Sequence, residues 1–165
     1  MGADVEQSWK PILVAALAAI SVAALGALMT DLGPWYAGLH KPSWQPPDWL
    51  FGPVWTLIFG LCALSAYLAW RNAPNRGGRD GVIALFMLNA FLNVLWSALF
   101  FRLKRPDWAL PEAALLWLSV LLMIVVLPRY SKTASVLLGP YLAWVLFAAI
   151  LNWSVVDLNA PFGEP

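Results

Sequence analysis

The sequence predicts an all-α integral membrane bundle of five transmembrane helices, and three observations carry that prediction. Hydrophobic residues make up 61% of the 165-residue chain and charged residues only 12%, which leaves too little polar surface to cover a water-soluble domain. The apolar residues are gathered into long runs and not spread in an amphipathic rhythm, the pattern of helices surrounded by lipid or by one another. Five such runs can be marked, at residues 11–29, 53–70, 82–101, 109–127 and 134–156. Each is close to the roughly 17–25 residues that cross a hydrocarbon core, so the whole chain, 1–165, is read as one transmembrane domain.

The first run could be a secretory leader, but Asp4 and Glu6 precede it where a basic region belongs, and no convincing small-residue cleavage site follows. A retained first helix is expected. Within it Ala15, Ala19, Ala23 and Ala27 repeat every four residues, a spacing that lets helices approach closely, either inside the bundle or between two copies.

The connection 30–52 differs from the others. It carries Trp35, Tyr36, Trp44, Trp49 and Phe51 together with Pro34, Pro42, Pro46 and Pro47, and proline fixes the backbone in extended geometry, so the segment should be stiff and non-helical. An aromatic belt at the headgroup level would account for the Trp and Tyr. A lid over a cavity between the helix ends accounts for the prolines as well, and long loops in compact domains tend to be functional.

On the second run Trp55, Phe59 and Cys62 align beneath that loop. The lone Cys62 can form neither an internal disulfide nor a metal cluster. Residues 71–81 hold Asn, Pro and Gly in the manner of an exposed turn, 102–108 form a compact basic loop closed by Pro106, and 128–133 a tight turn. The third run places Asn89 and Asn93 four apart, with Trp96, Ser97 and Phe100 continuing the same face. In the fourth, Glu112 is the one ionisable side chain of Asp, Glu, Lys, Arg or His type inside any run. It is read as belonging to the opening turn, which argues against an ion or proton pathway. The fifth run aligns Tyr141, Trp144, Ala148 and Asn152, with Pro140 loosening its start. Residues 157–165 are polar and are expected to fray.

In lipid a side-chain amide needs a partner or a cavity. Each Asn taken singly is explained by a bond to a neighbouring helix. Two aromatic-plus-amide stripes beneath a stiff aromatic loop are better explained by a shared pocket, flat-walled and apolar, suited to a planar hydrophobic ligand. The spans contain neither a Ser, His and Asp set nor paired carboxylates, so conventional hydrolysis or general acid/base chemistry is not expected. The single histidine, His40, lies in the loop and is read as solvated, so no metal site and no required cofactor are expected, and a metal-free ring is the preferred guest. A net charge of +1 offers no patch for nucleic acid. Inverted halves of the kind many transporters show are absent. With five spans, Lys10, Arg71, Arg76, Arg79, Arg129 and Lys132 share the N-terminal side against Lys41, Arg102, Lys104 and Arg105, which leans toward a cytoplasmic N-terminus.

Several stretches resemble the TspO/MBR family, the translocator proteins, peripheral benzodiazepine receptors or tryptophan-rich sensory proteins. The first-loop signature is matched by Trp35, Tyr36, Leu39, Lys41, Pro42, Trp44, Pro46, Pro47, Trp49, Phe51, Pro53, Val54, Trp55 and Thr56. Asn93, Leu95, Trp96, Phe100 and Phe101 follow in the third run, and Pro140, Tyr141, Leu142, Trp144, Phe147, Ala148, Leu151, Asn152, Leu158 and Asn159 in and after the fifth. The resemblance implies a five-helix bundle, usually a homodimer, that binds porphyrins such as protoporphyrin IX and benzodiazepine-type ligands under its first loop. It implies that Tyr36, Pro46, Trp55, Asn93, Trp144 and Asn152 line the pocket, to which the stripes above add Asn89, Trp96, Tyr141 and Ala148. A multi-pass place in a bacterial cell envelope, and a part in tetrapyrrole regulation or stress response, are the corresponding expectations. Were the light-dependent porphyrin breakdown of some relatives present, Trp55 and Trp144 would be its redox participants. Two other readings are a porphyrin-degrading enzyme and a structural or regulatory membrane subunit without a small ligand. The sequence departs from many members at Asn89, where they carry Gln, and at Phe59, where they carry Tyr. The sterol pattern of animal members lacks its basic anchor here, reading Leu151, Trp153 and Asp157, so no specific sterol site is expected.

Overall fold

A computed structural model describes residues 9–162; Asp4 and Glu6, on which the retained-helix reading of the opening rests, lie outside them, as do residues 163–165 of the tail. Among the described residues there are α-helices and no strand. The helices are α1 (Trp9–Met29), the single turn α2 (Pro34–Ala37), α3 (Asp48–Asn72), α4 (Arg76–Ser97), α5 (Pro106–Val126), the short α6 (Lys132–Val136) and α7 (Gly139–Asn159). A π-helical segment, Ala98–Arg102, prolongs α4, and a 3₁₀ turn, Leu127–Arg129, ends α5. Five stretches are long and apolar enough to cross a membrane: Pro11–Met29, Asp48–Asn72, Arg76–Arg102, Pro106–Arg129 and Lys132–Asn159. The chain is a multi-pass integral membrane protein.

The helices outrun the apolar runs because hydropathy marks only the part immersed in hydrocarbon, whereas caps mark the helix itself. Asn75 accepts from the Gly78 N–H at 2.8 Å, the N-cap arrangement that satisfies an orphan donor of the first turn. The glycines 77, 78 and 81, expected in an exposed turn, are thereby wound into α4. Likewise α3 begins at Asp48, so residues 48–52 of the expected loop are helical, and Pro34 at the first position of α2 presets one helical turn in a segment expected to have none. The fifth span is two helices, with Ser131 capping α6 by accepting from the Ala134 N–H at 3.2 Å. Its end does not fray at residue 157, since α7 runs on to Asn159.

Helix α1 packs on α3, α4 lies against α3 and α5, and α5 packs along α7, with α6 wedged between α3 and α5. The half of the bundle around α6 is closely filled: Ile58, Val82, Val120, Met123, Leu127, Leu138 and Tyr141 are all buried. Two hydroxyls pin it, Ser65 donating to the Ala134 carbonyl and Ser135 to the Ile124 carbonyl, both at 2.7 Å. The outer faces carry exposed Ile12, Leu17, Ile20, Met87, Phe91, Leu118, Val125 and Ile150, which lipid covers. The opposite half, under the 30–47 connection, is hollow.

Candidate functional site

The hollow is a cavity of about 710 Å³, within the range of roughly 300–1,000 Å³ typical of small-molecule sites. Its walls come from all five spans. Helix α1 contributes a low wall of Ala23, Gly26 and Ala27; α3 gives Phe51, Trp55 and Phe59; α4 gives Asn93, Trp96 and Ser97; α5 gives Ala113 and Leu116; α7 gives Trp144, Ala148 and Asn152. Tyr36, Gln45, Asp48 and Trp49 stand at the mouth.

Rings hold this shape. Phe51 meets Trp144 at 5.6 Å and Trp55 meets Tyr141 at 6.0 Å, both edge to face, so α3 is joined to α7 through aromatic contacts. Trp55 stacks on Phe59 at 5.4 Å and Trp144 on Phe147 at 5.2 Å. Such pairs contribute about 0.5–1.5 kcal/mol each beyond their burial. The π-helical segment widens the turn by one residue, and the consecutive Phe100 and Phe101 both reach the underside of the loop. Phe100 lies 6.2 Å from Trp35 and Phe101 5.6 Å from Tyr36.

The loop is fastened at two places. Asn159, at the end of α7, accepts from the His40 N–H at 2.8 Å and donates to the His40 carbonyl at 2.8 Å, while also donating to the Val155 carbonyl at 2.8 Å. Nearer the mouth, Tyr36 donates to Asp48 at 3.0 Å and Gln45 donates to Asp48 at 3.1 Å, with the Lys41 ammonium 3.6 Å above the Tyr36 ring. Burial, and behind it the Asp48 carboxylate, pushes the Tyr36 phenol up to about 12. Trp35 and Tyr36 turn in toward α4, while Trp44 and Trp49 are 47% and 72% exposed.

Beneath the cavity lies a buried polar chain joining α4, α7 and α5. Asn93 Nδ2 donates to the Tyr141 hydroxyl (3.2 Å), which donates to Asn89 Oδ1 (3.2 Å); Asn89 Nδ2 donates to Ser119 Oγ (2.8 Å), which donates to the Leu116 carbonyl (2.7 Å). Asn152 clips into the first turn of α5, its nitrogen donating to the Pro106 carbonyl (3.1 Å) and its oxygen accepting from the Leu110 N–H (3.2 Å), the orientation that satisfies both. Trp144 Nε1 and both Glu112 oxygens are buried without a partner.

Seven of the ten candidate pocket residues meet at the cavity: Tyr36, Trp55, Asn93, Trp96, Trp144, Ala148 and Asn152. Three do not line it. Asn89 and Tyr141 sit one layer behind, where their polar atoms are engaged with each other and with Ser119, and Pro46 is half-buried in the loop outside the lining. His40 contributes its backbone to the clamp on Asn159. Glu112 is not in an opening turn: α5 begins at Pro106, so the carboxyl lies deeper, only 5% exposed. Sequence reasoning missed Gln45, Asp48 and the α1 wall. Polar side chains inside an aromatic loop are the signal for the first two, and the four-residue spacing of Ala23 and Ala27 marks them only as packing residues.

A family model described as the TspO/MBR family matches residues 13–157. The tryptophan-rich protein TspO of Archaeoglobus fulgidus is 42% identical over 151 residues, covering 90% of this chain and 97% of that protein. Its namesake in Chlorobaculum tepidum is 41% identical over 160 residues, covering 91% and 98%. The translocator protein of Homo sapiens is 36% identical over 122 residues, covering 73% and 72%.

Proposed function

Because this chain belongs to the TspO/MBR family, we propose that it is a membrane ligand-binding sensor or carrier whose cavity receives a porphyrin-type tetrapyrrole such as protoporphyrin IX, or a benzodiazepine-type ligand of similar flatness. The observation that carries the reading is the roofed cavity of about 710 Å³ with Trp55, Trp96 and Trp144 on its walls. Indole faces give a flat apolar guest large contact area at little conformational cost, and the few polar groups among them orient it. A homodimer is the proposed assembly, checked by the mass of the detergent-solubilised protein in light scattering.

The test is a titration of the purified protein with metal-free protoporphyrin IX, following tryptophan fluorescence. Saturable quenching is expected, and Trp144→Ala should weaken binding by roughly two- to tenfold, the worth of one aromatic contact. Quenching that never saturates in the wild type overturns the reading. The three wall indoles also favour a second one, light-driven porphyrin breakdown with Trp55 and Trp144 as redox participants. Under illumination the Soret band should then decay faster with the wild type than with the Trp55→Phe, Trp144→Phe double variant, and equal decay refutes it.

A further inference from the structure

The polar chain beneath the cavity has a direction that can be read from its last link. Ser119 Oγ lies 2.7 Å from the Leu116 carbonyl, and a carbonyl can only accept, so Ser119 donates there. A hydroxyl carries one proton, so toward Asn89 it can only accept, and Asn89 Nδ2 donates to it at 2.8 Å. Asn89 Oδ1 is thereby left to accept from Tyr141, and the Tyr141 hydroxyl, its proton so committed, accepts from Asn93 Nδ2, each at 3.2 Å. The Asn93 amide is held with its nitrogen inward, and its Oδ1 has no protein partner in a residue that lines the cavity. Reversing every link would keep the three bonds between side chains and lose the one to Leu116, so the observed order is one bond better. All four side chains are between 1% and 7% exposed, where no bulk water competes to scramble the order. Three other wall donors are occupied or hidden: Ser97 is turned to the Asn93 carbonyl at 3.5 Å, Thr56 to the Gly52 carbonyl at 2.9 Å, and Trp144 Nε1 is shielded; the indole N–H groups of Trp55 and Trp96 also stand on the wall, and a change at Ser119 leaves them as they are.

We infer that Ser119 and Asn89, neither of which lines the cavity, are positioning residues that fix Asn93 as a hydrogen-bond acceptor, so that the cavity selects flat apolar ligands bearing an edge N–H or O–H donor over isosteres bearing a carbonyl there. This rests on the ligand-chamber reading above and adds the polarity of the guest. A matched set of tricyclic probes tests it: carbazole offers a donor, 9-fluorenone an acceptor, and fluorene neither. Binding to the full chain in nanodiscs is measured by calorimetry, corrected for partition into empty nanodiscs. Carbazole should bind roughly two- to tenfold more tightly than fluorene, and 9-fluorenone should gain nothing from Asn93. In Ser119→Ala the anchoring link is gone and the two directions of the chain make equal numbers of bonds, so the carbazole to fluorenone ratio should fall to about one. Ser119→Thr keeps the hydroxyl and should restore the preference, while fluorene, blind to polarity, should bind all three proteins alike. Fluorenone binding as well as carbazole in the wild type, or a ratio unmoved by Ser119→Ala, overturns the inference while leaving the chamber standing as long as fluorene binds. Failure of all three probes to bind saturably overturns the chamber and the inference together.

Discussion

Replacing Asn159 by Ala should release the middle of the loop. The side chain clamps both backbone groups of His40, accepting from its N–H and donating to its carbonyl at 2.8 Å each, much as a strand neighbour would. A net intramolecular hydrogen bond is worth about 0.5–1.5 kcal/mol, and these two are solvent-exposed, so about 0.5–1 kcal/mol each is the appropriate share. Losing both shifts the equilibrium between docked and undocked loop by about 1–2 kcal/mol, or roughly five- to thirtyfold. Amide hydrogen exchange followed by mass spectrometry reads this directly, since peptides covering residues 38–47 should exchange faster by that factor while peptides from α5 and α7 do not change. Asn159→Asp is the sharper variant: it keeps an acceptor for the His40 N–H but sets a carboxylate oxygen against the His40 carbonyl, so its loop should open at least as far as that of the alanine variant. Unaltered exchange in Asn159→Ala, with the thermal midpoint retained, would refute the idea that this clamp holds the lid.

Two further outcomes are expected. The Tyr36 phenol is held at about 12 in the docked loop, above its ordinary value of about 10. A raised folded-state value means a contribution fully present below about pH 10 and lost as pH climbs through about 12. The wild type should therefore show a loosening of the loop across that window, by limited proteolysis between residues 38 and 47, and Tyr36→Phe should lack that step while being looser already at neutral pH; identical alkaline profiles would argue against the Tyr36 to Asp48 contact. Glu112→Met should raise the stability of the bundle by about 1–3 kcal/mol, the cost of a buried polar group without a partner, since neither carboxyl oxygen finds one. A lower thermal midpoint in that variant would mean that the carboxyl is engaged after all.

Spans were legible because lipid imposes length and apolarity on them, and the five membrane-crossing helices stand where the five runs are. Their ends were not, because the signals that set them are single hydrogen bonds, such as that of Asn75 to the Gly78 N–H, set among glycines that otherwise suggest a turn. At the site, helical spacing groups Asn93 with Trp96, and Trp144 with Ala148 and Asn152, and all five line the cavity. Spacing fixes a face but not its depth, so Asn89 and Tyr141, on the same stripes, lie one layer behind. The π-helical segment that brings both Phe100 and Phe101 under the loop breaks the regular period from which any such stripe is drawn. The pairing of His40 with Asn159 spans 119 positions and has no local trace at all.

The low wall of α1 makes the chamber adjustable. A methyl carbon built on Gly26 would meet no atom within 4 Å, and its neighbours Ala23 and Ala27 also face the void. Ala at position 26 would thus add a methyl without displacing an existing contact, and Val and Leu would extend it into a graded series of larger plugs. Ring size could then be measured against plug size, which turns one face of one helix into a ruler for the space inside the bundle.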